Sequence, residues 1–306
     1  MIVPANEDTI GAAAAKLRNG ELIGMPTETV YGVAANALDL AAVKATFEAK
    51  GRPSENPLIV HVASMDQVRE VAREVPESAR QLAEKFWPGP LTMVLNKQPI
   101  VPDEVTADLP TVAVRMPAHP VAKRLIELAG MPLSAPSANL FMGVSPTTAQ
   151  MIAPALADKL AMILDGGPCE VGIESTIVDL STERPIVLRL GMITPEALEA
   201  VLGTPVLVGD DDGIRAPGMY PRHYAPRARV HIIGRLEPDQ PGLVLGEGSP
   251  GQIVMPINAR DYARELYKSL AELDGRGLDA IFVEAPPVDL EWQAVWDRLR
   301  KAAGET

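Results

Sequence analysis

The segment FEAKGRPSENPLIVHV, residues 47–62, places two cations and an amide around a turn that two prolines stiffen. Lys50 and Arg52 flank a glycine just after a predicted helix end, and Asn56 lies just before a predicted buried strand. Compensation of the helix C-terminal dipole explains Lys50, but it explains neither the prolines nor Asn56. A guanidinium offers a planar fork for phosphate oxygens and an ammonium a mobile point charge, so the segment favours a polyphosphate ligand.

Small hydroxyl residues follow a predicted strand in PTETVYG, residues 26–32. Their side-chain oxygens and the exposed backbone N–H groups can hold a carboxylate or a phosphate. A strand-to-helix turn capped by threonines is the simpler interpretation of this segment by itself. His61, inside the apolar run LIVHV, is in the same way more often a packed core residue than a functional one.

Further segments interrupt predicted strands with polar or cationic groups. Arg115 ends the apolar run VAVR, where its charge needs an internal carboxylate or an anionic ligand. SAPSAN and GVSPTTAQ bring hydroxyls and an asparagine, and SPTT is predicted to begin a helix whose N-terminus attracts phosphate. Ser175 and Arg189 add similar groups further along the chain. Together these interruptions predict an anion-binding cleft.

Helical and strand patterns alternate around these segments over the first two-thirds of the 306 residues, which predicts an α/β domain at 1–208. The proline- and arginine-rich segment 209–228 predicts a linker, and 229–306 a small second α/β domain. The predicted helices are 6–20, 39–51, 76–86, 119–130, 194–203, 261–273 and 291–304. The predicted strands are 21–25, 58–62, 91–96, 111–116, 175–180, 185–190, 229–234, 242–248, 251–257 and 281–287.

The composition argues against several classes of protein. A net charge of −12 disfavours a broad nucleic-acid-binding surface, although it leaves room for a local basic pocket. One cysteine excludes an intramolecular disulfide framework, and four scattered histidines lack zinc spacing. No apolar run reaches membrane-helix length and no signal-peptide pattern is present, so a cytoplasmic setting is expected. GEGSPG fits GxGxxG, but no helix is predicted after it, and we interpret it as a loop.

A series of motifs occurs in one order along residues 5–228. These motifs are PTETVYG, FEAKGRPSENPLIVHV, FWPGPLT, VAVRMPAHP, APSAN, SPTT, LDGGPCEVGIESTIVDL and APGMYPRHYAP. The series resembles the threonylcarbamoyl-AMP synthase family, the YrdC-like family in its long form with an appended C-terminal domain. The resemblance implies a YrdC-like twisted mixed sheet with flanking helices and a large cleft, followed by a small Rossmann-like α/β domain.

The resemblance also implies an enzyme, a nucleotidyltransferase that converts L-threonine, bicarbonate and ATP into L-threonylcarbamoyl-AMP and pyrophosphate. A separate transferase would then move the threonylcarbamoyl group to the adenosine next to the anticodon of certain tRNAs. Magnesium would accompany ATP, held mainly by phosphate oxygens and water, and no organic cofactor is expected. This chain itself is not expected to bind tRNA tightly or to contact a membrane.

Site residues follow from the same resemblance, motif by motif. Those implied for threonine binding are Thr29, Tyr31, His61, Arg115 and Ser175. Those implied for ATP binding are Lys50, Arg52, Asn56, Thr111, Ser137, Asn139, Ser145, Arg189 and Tyr224. His61 is the candidate general base, and no metal ligand is assigned.

The linker is implied to fold back over the nucleotide as a lid, with Tyr224 on the nucleotide and Arg222 or His223 near its phosphates. This chain departs from the family pattern at Phe141 and Met142, where SG is usual, with Gly143 following. It departs again at Leu190, where LRPG is usual, and in PGMYPRHYAP, where PGMKYRHYAP is usual. These departures are expected to change the shape of the loop and the contacts of the lid.

Other functions remain open at this point. An RNA- or nucleotide-binding YrdC-like module would lack adenylate synthesis, and the acidic charge and few aromatics count against RNA. A carbamoyltransferase with a related domain would carry additional modules that this sequence lacks. A relative that binds nucleotide without making the adenylate is opposed by the complete pairs Lys50/Arg52 and Ser137/Asn139.

Overall fold

The computed structural model describes residues 1–209, 216–218 and 222–305, which form two sheets with helices packed against them. The strands of the large sheet are β1 (Ile2–Pro4), β2 (Ile23–Met25), β3 (Gly32–Asn36), β4 (Ile59–His61), β5 (Leu91–Asn96), β6 (Thr111–Arg115), β7 (Leu133–Ser134), β8 (Met162–Asp165), β9 (Thr176–Asp179), β10 (Ile186–Arg189) and β11 (Leu207–Val208). The small sheet contains β12 (Arg229–Ile233), β13 (Gly242–Leu245), β14 (Ile253–Met255) and β15 (Ala280–Glu284). No helix in these described ranges is long and apolar enough to cross a membrane.

The helices pack on both faces of the large sheet and on the small one. They are α1 (Glu7–Arg18), α2 (Leu40–Lys50), α3 (Met65–Val71), α4 (Glu77–Phe86), α5 (Asp103–Thr106), α6 (Pro120–Ala129), α7 (Pro154–Ala157), α8 (Pro195–Leu202), α9 (Ala259–Gly275) and α10 (Gln293–Ala303). Short 3₁₀ turns lie at Ala149–Met151 and Leu290–Trp292. One apolar core contains residues of α3, α4 and α8, and another joins α1 to α6.

The large sheet is mixed, as predicted, with strand order β1-β8-β2-β3-β7-β4-β6-β5-β9-β10-β11. It contains parallel pairs, such as β4 with β6, and antiparallel pairs, such as β5 with β6. The small sheet, in the order β12-β15-β13-β14, is parallel throughout and carries α9 and α10. The predicted fold class is therefore confirmed, and the division at residues 208 and 229 stays a prediction.

Two local expectations were wrong. PTETVYG joins the antiparallel strands β2 and β3, so the turn leads into a strand and not into a helix. After SPTT the chain forms only the three-residue 3₁₀ turn, because Pro154 follows closely and the residue before it is extended, at φ −58° and ψ 139°. The helix N-terminus expected to attract phosphate is therefore absent from this described segment.

Helix α2 ends where the cationic turn begins. Its N-cap is Asp39, whose carboxylate accepts from the Ala41 N–H at 2.9 Å. Its C-cap, Gly51, has a φ of +60°, a conformation that glycine adopts without strain. The chain leaves the helix there, so Lys50 is in the last helical turn and Arg52 begins the turn toward β4.

The C-terminal part packs closely on the loop before β9. Val30 and Ile173 share an apolar cluster with α9 and α10 residues such as Leu266 and Leu299. Gly172 has a φ of +81°, and a Cβ there would lie 2.3 Å from the Arg264 Cα of α9. The backbone of this loop therefore touches the backbone of α9 directly.

We expect Gly172→Ala to lower the free energy of unfolding by at least about 2 kcal/mol, since positive φ and a backbone clash both oppose a methyl group. Gly167→Ala is the matched control, because Gly167 also has a positive φ of 86° but has no atom within 4 Å of the new Cβ. It should cost only about 1 kcal/mol. Urea unfolding measures both, and equal losses would contradict the close contact with α9.

Candidate active site

A cavity lies between the large sheet and the described part of the linker. It brings together half of the residues predicted for the site. The predicted residues that line it are Thr29, Arg52, His61, Arg115, Ser137, Arg189 and Tyr224. The parallel strands β4 and β6 end at this cavity with His61 and Arg115.

In the parallel register of β4 and β6, Ile59 pairs with Ala113, and two residues further along His61 pairs with Arg115. The Arg115 guanidinium donates from Nη1 to Thr29 Oγ1 at 2.8 Å and from Nε to the Gly89 carbonyl at 3.3 Å. Its Nη2 lies 2.7 Å from Oε1 of the buried Glu28, which is an ion-pair contact. The partner that Arg115 requires is therefore an internal carboxylate.

Thr29 is held for this contact by its own loop. The Thr27 hydroxyl donates to the Val30 carbonyl at 2.6 Å and accepts from the backbone N–H groups of Thr29 and Val30. The two threonine hydroxyls lie 2.9 Å apart. This hydroxyl chain and Arg115 form a rigid, buried surface suited to a carboxylate.

The imidazole of His61 is neutral in this surrounding. Burial and the nearby positive charge of Arg115 lower its pKa to about 3, although Glu28 acts in the opposite direction. Its Nδ1 has no hydrogen-bond partner among the described residues. A neutral ring with an unused nitrogen beside Arg115 can hydrogen-bond a bound polar ligand.

The cations of KGRPSEN organise loops at the other end of the cavity. Lys50 Nζ donates to the backbone carbonyls of Ser137 and Asn139, and it is buried so completely that burial and the charge of Arg52 lower its pKa well below the usual value. Arg52 donates to the carbonyls of Asn56 at 3.2 Å and Pro57 at 2.8 Å. Arg52 lines the cavity, whereas Lys50 fastens the APSAN loop beneath it.

Other residues implied for ATP binding lie behind the cavity wall. Both polar atoms of the Asn56 side chain are buried with no partner in the described residues. The Ser137 hydroxyl donates to the Asn139 side-chain oxygen, and Asn139 Nδ2 donates to the Gly143 carbonyl at 2.8 Å. Thr111 begins β6, at the strand end opposite Arg115.

Tyr31 is directed away from the cavity. Its hydroxyl donates to the Gly167 carbonyl at 2.7 Å and accepts from the Gly166 N–H at 3.2 Å. Burial raises the pKa of this phenol, which is fully enclosed in an apolar cluster with residues such as Ile163. The structure thus places Tyr31 in the core, and its implied role in threonine binding stays a prediction.

Ser175 and Arg189 meet at the ends of β9 and β10. Arg189 donates from Nε to the Ser175 carbonyl at 3.0 Å and from Nη2 to the Ser175 hydroxyl at 3.1 Å. That hydroxyl also lies 2.7 Å from Thr92 Oγ1. Ser175 therefore orients Arg189, which faces the cavity, and is itself behind the lining.

The described part of the linker covers the cavity. Ala216 packs on the sheet with Ile59 and Ala113, and Pro217 accepts from Arg189 Nη1 at 3.2 Å. Tyr224 has a φ of +58°, and its hydroxyl approaches Gly218 so closely that a Cβ there would lie 2.2 Å away. The predicted linker 209–228 is described only in part, since 210–215 and 219–221 lie outside the described residues.

The departures from the family pattern contact this linker. The Phe141 ring lies edge-on to His223 with centroids 6.2 Å apart, and the Met142 carbonyl accepts from the Ala225 N–H at 3.0 Å. Met142 has a φ of +69°, where glycine is the usual choice. Leu190 follows a register shift in β10 and packs against the main core. The neighbouring Arg189 donates to the carbonyls of Ser175 and Pro217.

Sequence reasoning missed two acidic residues, Glu28 and Glu174, although both lie inside quoted motifs. Glu174 Oε1 accepts from the Ser145 hydroxyl at 2.6 Å, and its Oε2 accepts from Tyr267 at 2.8 Å and Arg298 at 2.9 Å. Burial opposes its charge, but Arg298 and Arg189 together lower its pKa to about 2. A carboxylate beside a predicted hydroxyl was the available signal; Tyr267 and Arg298, in helices of ordinary pattern, gave none.

We predict acid-sensitive stability from His61 and His223, whose pKa values burial lowers to about 3. Arg115 and Glu28 face His61; Glu174, Arg52, Arg189 and Arg298 face His223. The unfolded chain protonates each histidine below about pH 6.5, so it binds more protons and stability falls as the pH drops from 6.5 toward 3. Each histidine contributes up to about 1.4 kcal/mol per pH unit.

Urea unfolding between pH 6.5 and 5 measures this slope in a range where Glu174, with its pKa near 2, contributes little. The slope should become shallower in His61→Asn and again in His223→Asn. Slopes equal to that of the unsubstituted protein in both variants would contradict the neutral state of these rings.

Comparison with known proteins supports the resemblance. Residues 15–191 match a family model described as telomere recombination, and residues 193–304 match the C-terminal domain of threonylcarbamoyl-AMP synthase. The threonylcarbamoyl-AMP synthase of Pyrococcus abyssi is 43% identical over 96% of this chain and 94% of its own. That of Bacillus subtilis is 40% identical over 98% and 94%.

Solved structures agree over nearly the whole chain. Pyrococcus abyssi Sua5 complexed with L-threonine has a TM-score of 0.90 and 40% identity, covering 99% of this chain and 96% of that one. A variant of the same protein, in which a histidine and the following tyrosine are replaced by alanine, has a TM-score of 0.92 at the same coverage. The chain belongs to the threonylcarbamoyl-AMP synthase family, in the form that carries the C-terminal domain.

Proposed function

We propose that this chain makes L-threonylcarbamoyl-AMP and pyrophosphate from L-threonine, bicarbonate and ATP. The observation that carries the proposal is one cavity lined by two different groups of residues. Arg115, Thr29 and His61 contact or pair with one another and form the Arg115 end, and Arg52 and Arg189, whose charges both act on His223, form the Arg52 end. The first group suits the carboxylate of an amino acid, and the second suits the phosphates of a nucleotide.

The amino acid binds at the Arg115 end. Its carboxylate contacts the Arg115 guanidinium and the hydroxyls of Thr27 and Thr29. Hydrogen bonds within the protein already orient these groups. The Pyrococcus abyssi relative has been solved with L-threonine, which supports the same ligand here. The neutral His61 ring hydrogen-bonds the amino acid; with a pKa near 3 it is a weak general base, so we assign it to orientation.

ATP binds at the Arg52 end, with its phosphates between the guanidinium groups of Arg52 and Arg189. Both guanidinium groups are fixed by backbone carbonyls, so little side-chain entropy is lost when a phosphate arrives. Lys50, Asn139 and Ser145 act from behind the wall, by fixing the loops that present the nucleotide contacts. Asn56 lies behind the same wall with its amide unpartnered among the described residues.

The reaction needs positioning more than covalent catalysis. The threonine amine and bicarbonate form a carbamate with loss of water. A carbamate oxygen then attacks the α-phosphorus, the bond to the β-phosphate oxygen breaks, and pyrophosphate leaves with the electron pair. Fixed cations along the phosphates stabilise this charge transfer, and no protein nucleophile is required.

The linker serves as a lid over the reacting groups. Its described residues Pro217, Gly218, His223 and Tyr224 line the cavity. A closed cover protects a reactive acyl adenylate from hydrolysis. The relative with adjacent histidine and tyrosine replaced retains the fold, and the one His–Tyr pair of this chain is His223–Tyr224, which favours a functional role for it.

Magnesium belongs to the ATP substrate in this proposal. Glu174, which lines the cavity, and Glu28, which is buried beside Arg115, are both paired with arginines, so they fit a metal ion poorly. No group of three or more acidic, histidine or cysteine side chains in the described residues could hold a metal. A separate transferase in the cytoplasm would take the product to tRNA, and no organic cofactor takes part.

Threonine-dependent pyrophosphate release tests the proposal. Purified protein with ATP, Mg²⁺, bicarbonate and L-threonine should release pyrophosphate and accumulate an adenylate, and L-serine should substitute poorly. Reactions without threonine or bicarbonate are the controls. Folded protein that binds ATP but releases no pyrophosphate in response to threonine would favour a nucleotide-binding module instead.

Arg52→Ala tests the nucleotide end. We expect ATP affinity to fall by roughly 1.5–3 kcal/mol, about 10- to 150-fold, because a charge-assisted contact to phosphate is lost. Isothermal titration measures this, with Arg69→Ala as control, since Arg69 is an exposed arginine paired with Asp66. Unchanged ATP affinity would mean that Arg52 only stabilises the turn whose carbonyls accept its hydrogen bonds.

A further inference from the structure

The buried carboxylate of Glu174 joins the cavity to the C-terminal part of the chain. It lines the cavity and fixes the hydroxyl of Ser145 on one side. On the other side it accepts from Tyr267 of α9 and from Arg298 of α10, whose side chain is 0% exposed. Two helices of the second sheet therefore hold one residue of the site.

A carboxylate at this position creates an electrostatic problem. Glu174 lines the same space as Arg189, and the proposed function places the nucleotide phosphates in that space. An uncompensated negative charge in a buried site repels phosphate strongly, because little water screens it. Arg298 provides the compensation, and its guanidinium also contacts Asp297, which pairs in turn with Lys301.

The same guanidinium reaches the lid. It lies over the Tyr224 ring, 4.9 Å from the centroid, and Tyr224 is stacked on Tyr267 at 5.8 Å. A contact needed only to fasten two domains could be apolar, and apolar replacements of buried ion pairs are often neutral or stabilising. Charge at this position therefore suggests a task in the site rather than adhesion alone.

We propose that Arg298, assisted by Tyr267, is a positioning residue for the nucleotide: it neutralises and orients Glu174, which lines the phosphate space and fixes Ser145 behind it. The second domain thereby sets the affinity of the first for ATP, and it leaves the threonine end unaffected. This inference rests on the proposed function, because it assigns phosphates to the space lined by Glu174 and Arg189.

Steady-state kinetics of Arg298→Met separate this role from a general loss of structure. The KM for ATP should rise roughly 10- to 100-fold, as expected for an uncompensated buried charge, while the KM for threonine changes less than about threefold. Glu174→Gln added to Arg298→Met should restore most of the ATP affinity, because the repelling charge is then absent. Arg300→Met, an exposed arginine over Trp296 on the same helix, is the matched control.

Tyr267→Phe keeps the test decisive if Arg298→Met does not fold, since it removes a single hydroxyl from Glu174. It should raise the KM for ATP by roughly 3- to 10-fold with the same selectivity, in line with one hydrogen bond to a charged group. An equal rise in both KM values, an unchanged KM for ATP in the folded variants, or no recovery in the double variant would overturn the inference.

Binding of a non-hydrolysable ATP analogue distinguishes the two levels of the argument. It is measured by titration without turnover, so the analogue affinity of Arg298→Met and Tyr267→Phe can be compared even if adenylate synthesis is not observed. Weaker analogue binding in both variants, but not in Arg300→Met, supports the positioning role. Equal binding in all of them overturns it while the threonine-dependent release of pyrophosphate stands.

Discussion

Arg115, Arg189 and Arg298 are among the arginines buried around one cavity, and a buried guanidinium destabilises a fold unless its charge is paired and its N–H groups are bonded. Each of them satisfies this requirement differently. Arg115 pairs with Glu28, Arg298 pairs with Glu174, and Arg189 uses the carbonyls of Ser175 and Pro217. Arg189 is thus bonded but has weaker charge compensation, which leaves it suited to an anionic ligand.

This requirement explains why the site is assembled from loops that are distant in sequence. A strand end can present an arginine, but the carboxylate or carbonyl that satisfies it must arrive from another segment. The hairpin between β2 and β3 brings Glu28 and Thr29 to Arg115, the linker brings Pro217 to Arg189, and α10 brings Arg298 to Glu174. Folding of the second domain is therefore part of building the cavity.

The sequence predicted the elements that carry strong local signals and the residues that carry charge. The Asp39 cap and Gly51 defined α2, and Lys50 and Arg52 stood out beyond it. The strands β1, β3, β7, β8 and β11 were missed. β7 and β11 are only two residues long, and GVAAN in β3 lacks β-branched periodicity. Lys50 and Arg52 look alike in sequence, but only tertiary contacts decide that one faces the cavity and the other fastens a loop beneath it.

Phe141 and Met142, which depart from the family pattern, both contact the linker, a segment distant from them in sequence. Met142 adopts a positive φ that glycine would accept without strain. Its carbonyl accepts a hydrogen bond from the Ala225 N–H, and the Phe141 ring packs edge-on to His223. The loop beneath the nucleotide end and the linker above it are therefore joined by backbone and ring contacts. The ring of Phe141 adds a side-chain contact to the lid, whereas the contact of Met142 is made by its backbone and does not depend on its side chain. The lid therefore gains from the substitution at 141, and the positive φ at Met142 is a local cost that this contact does not explain.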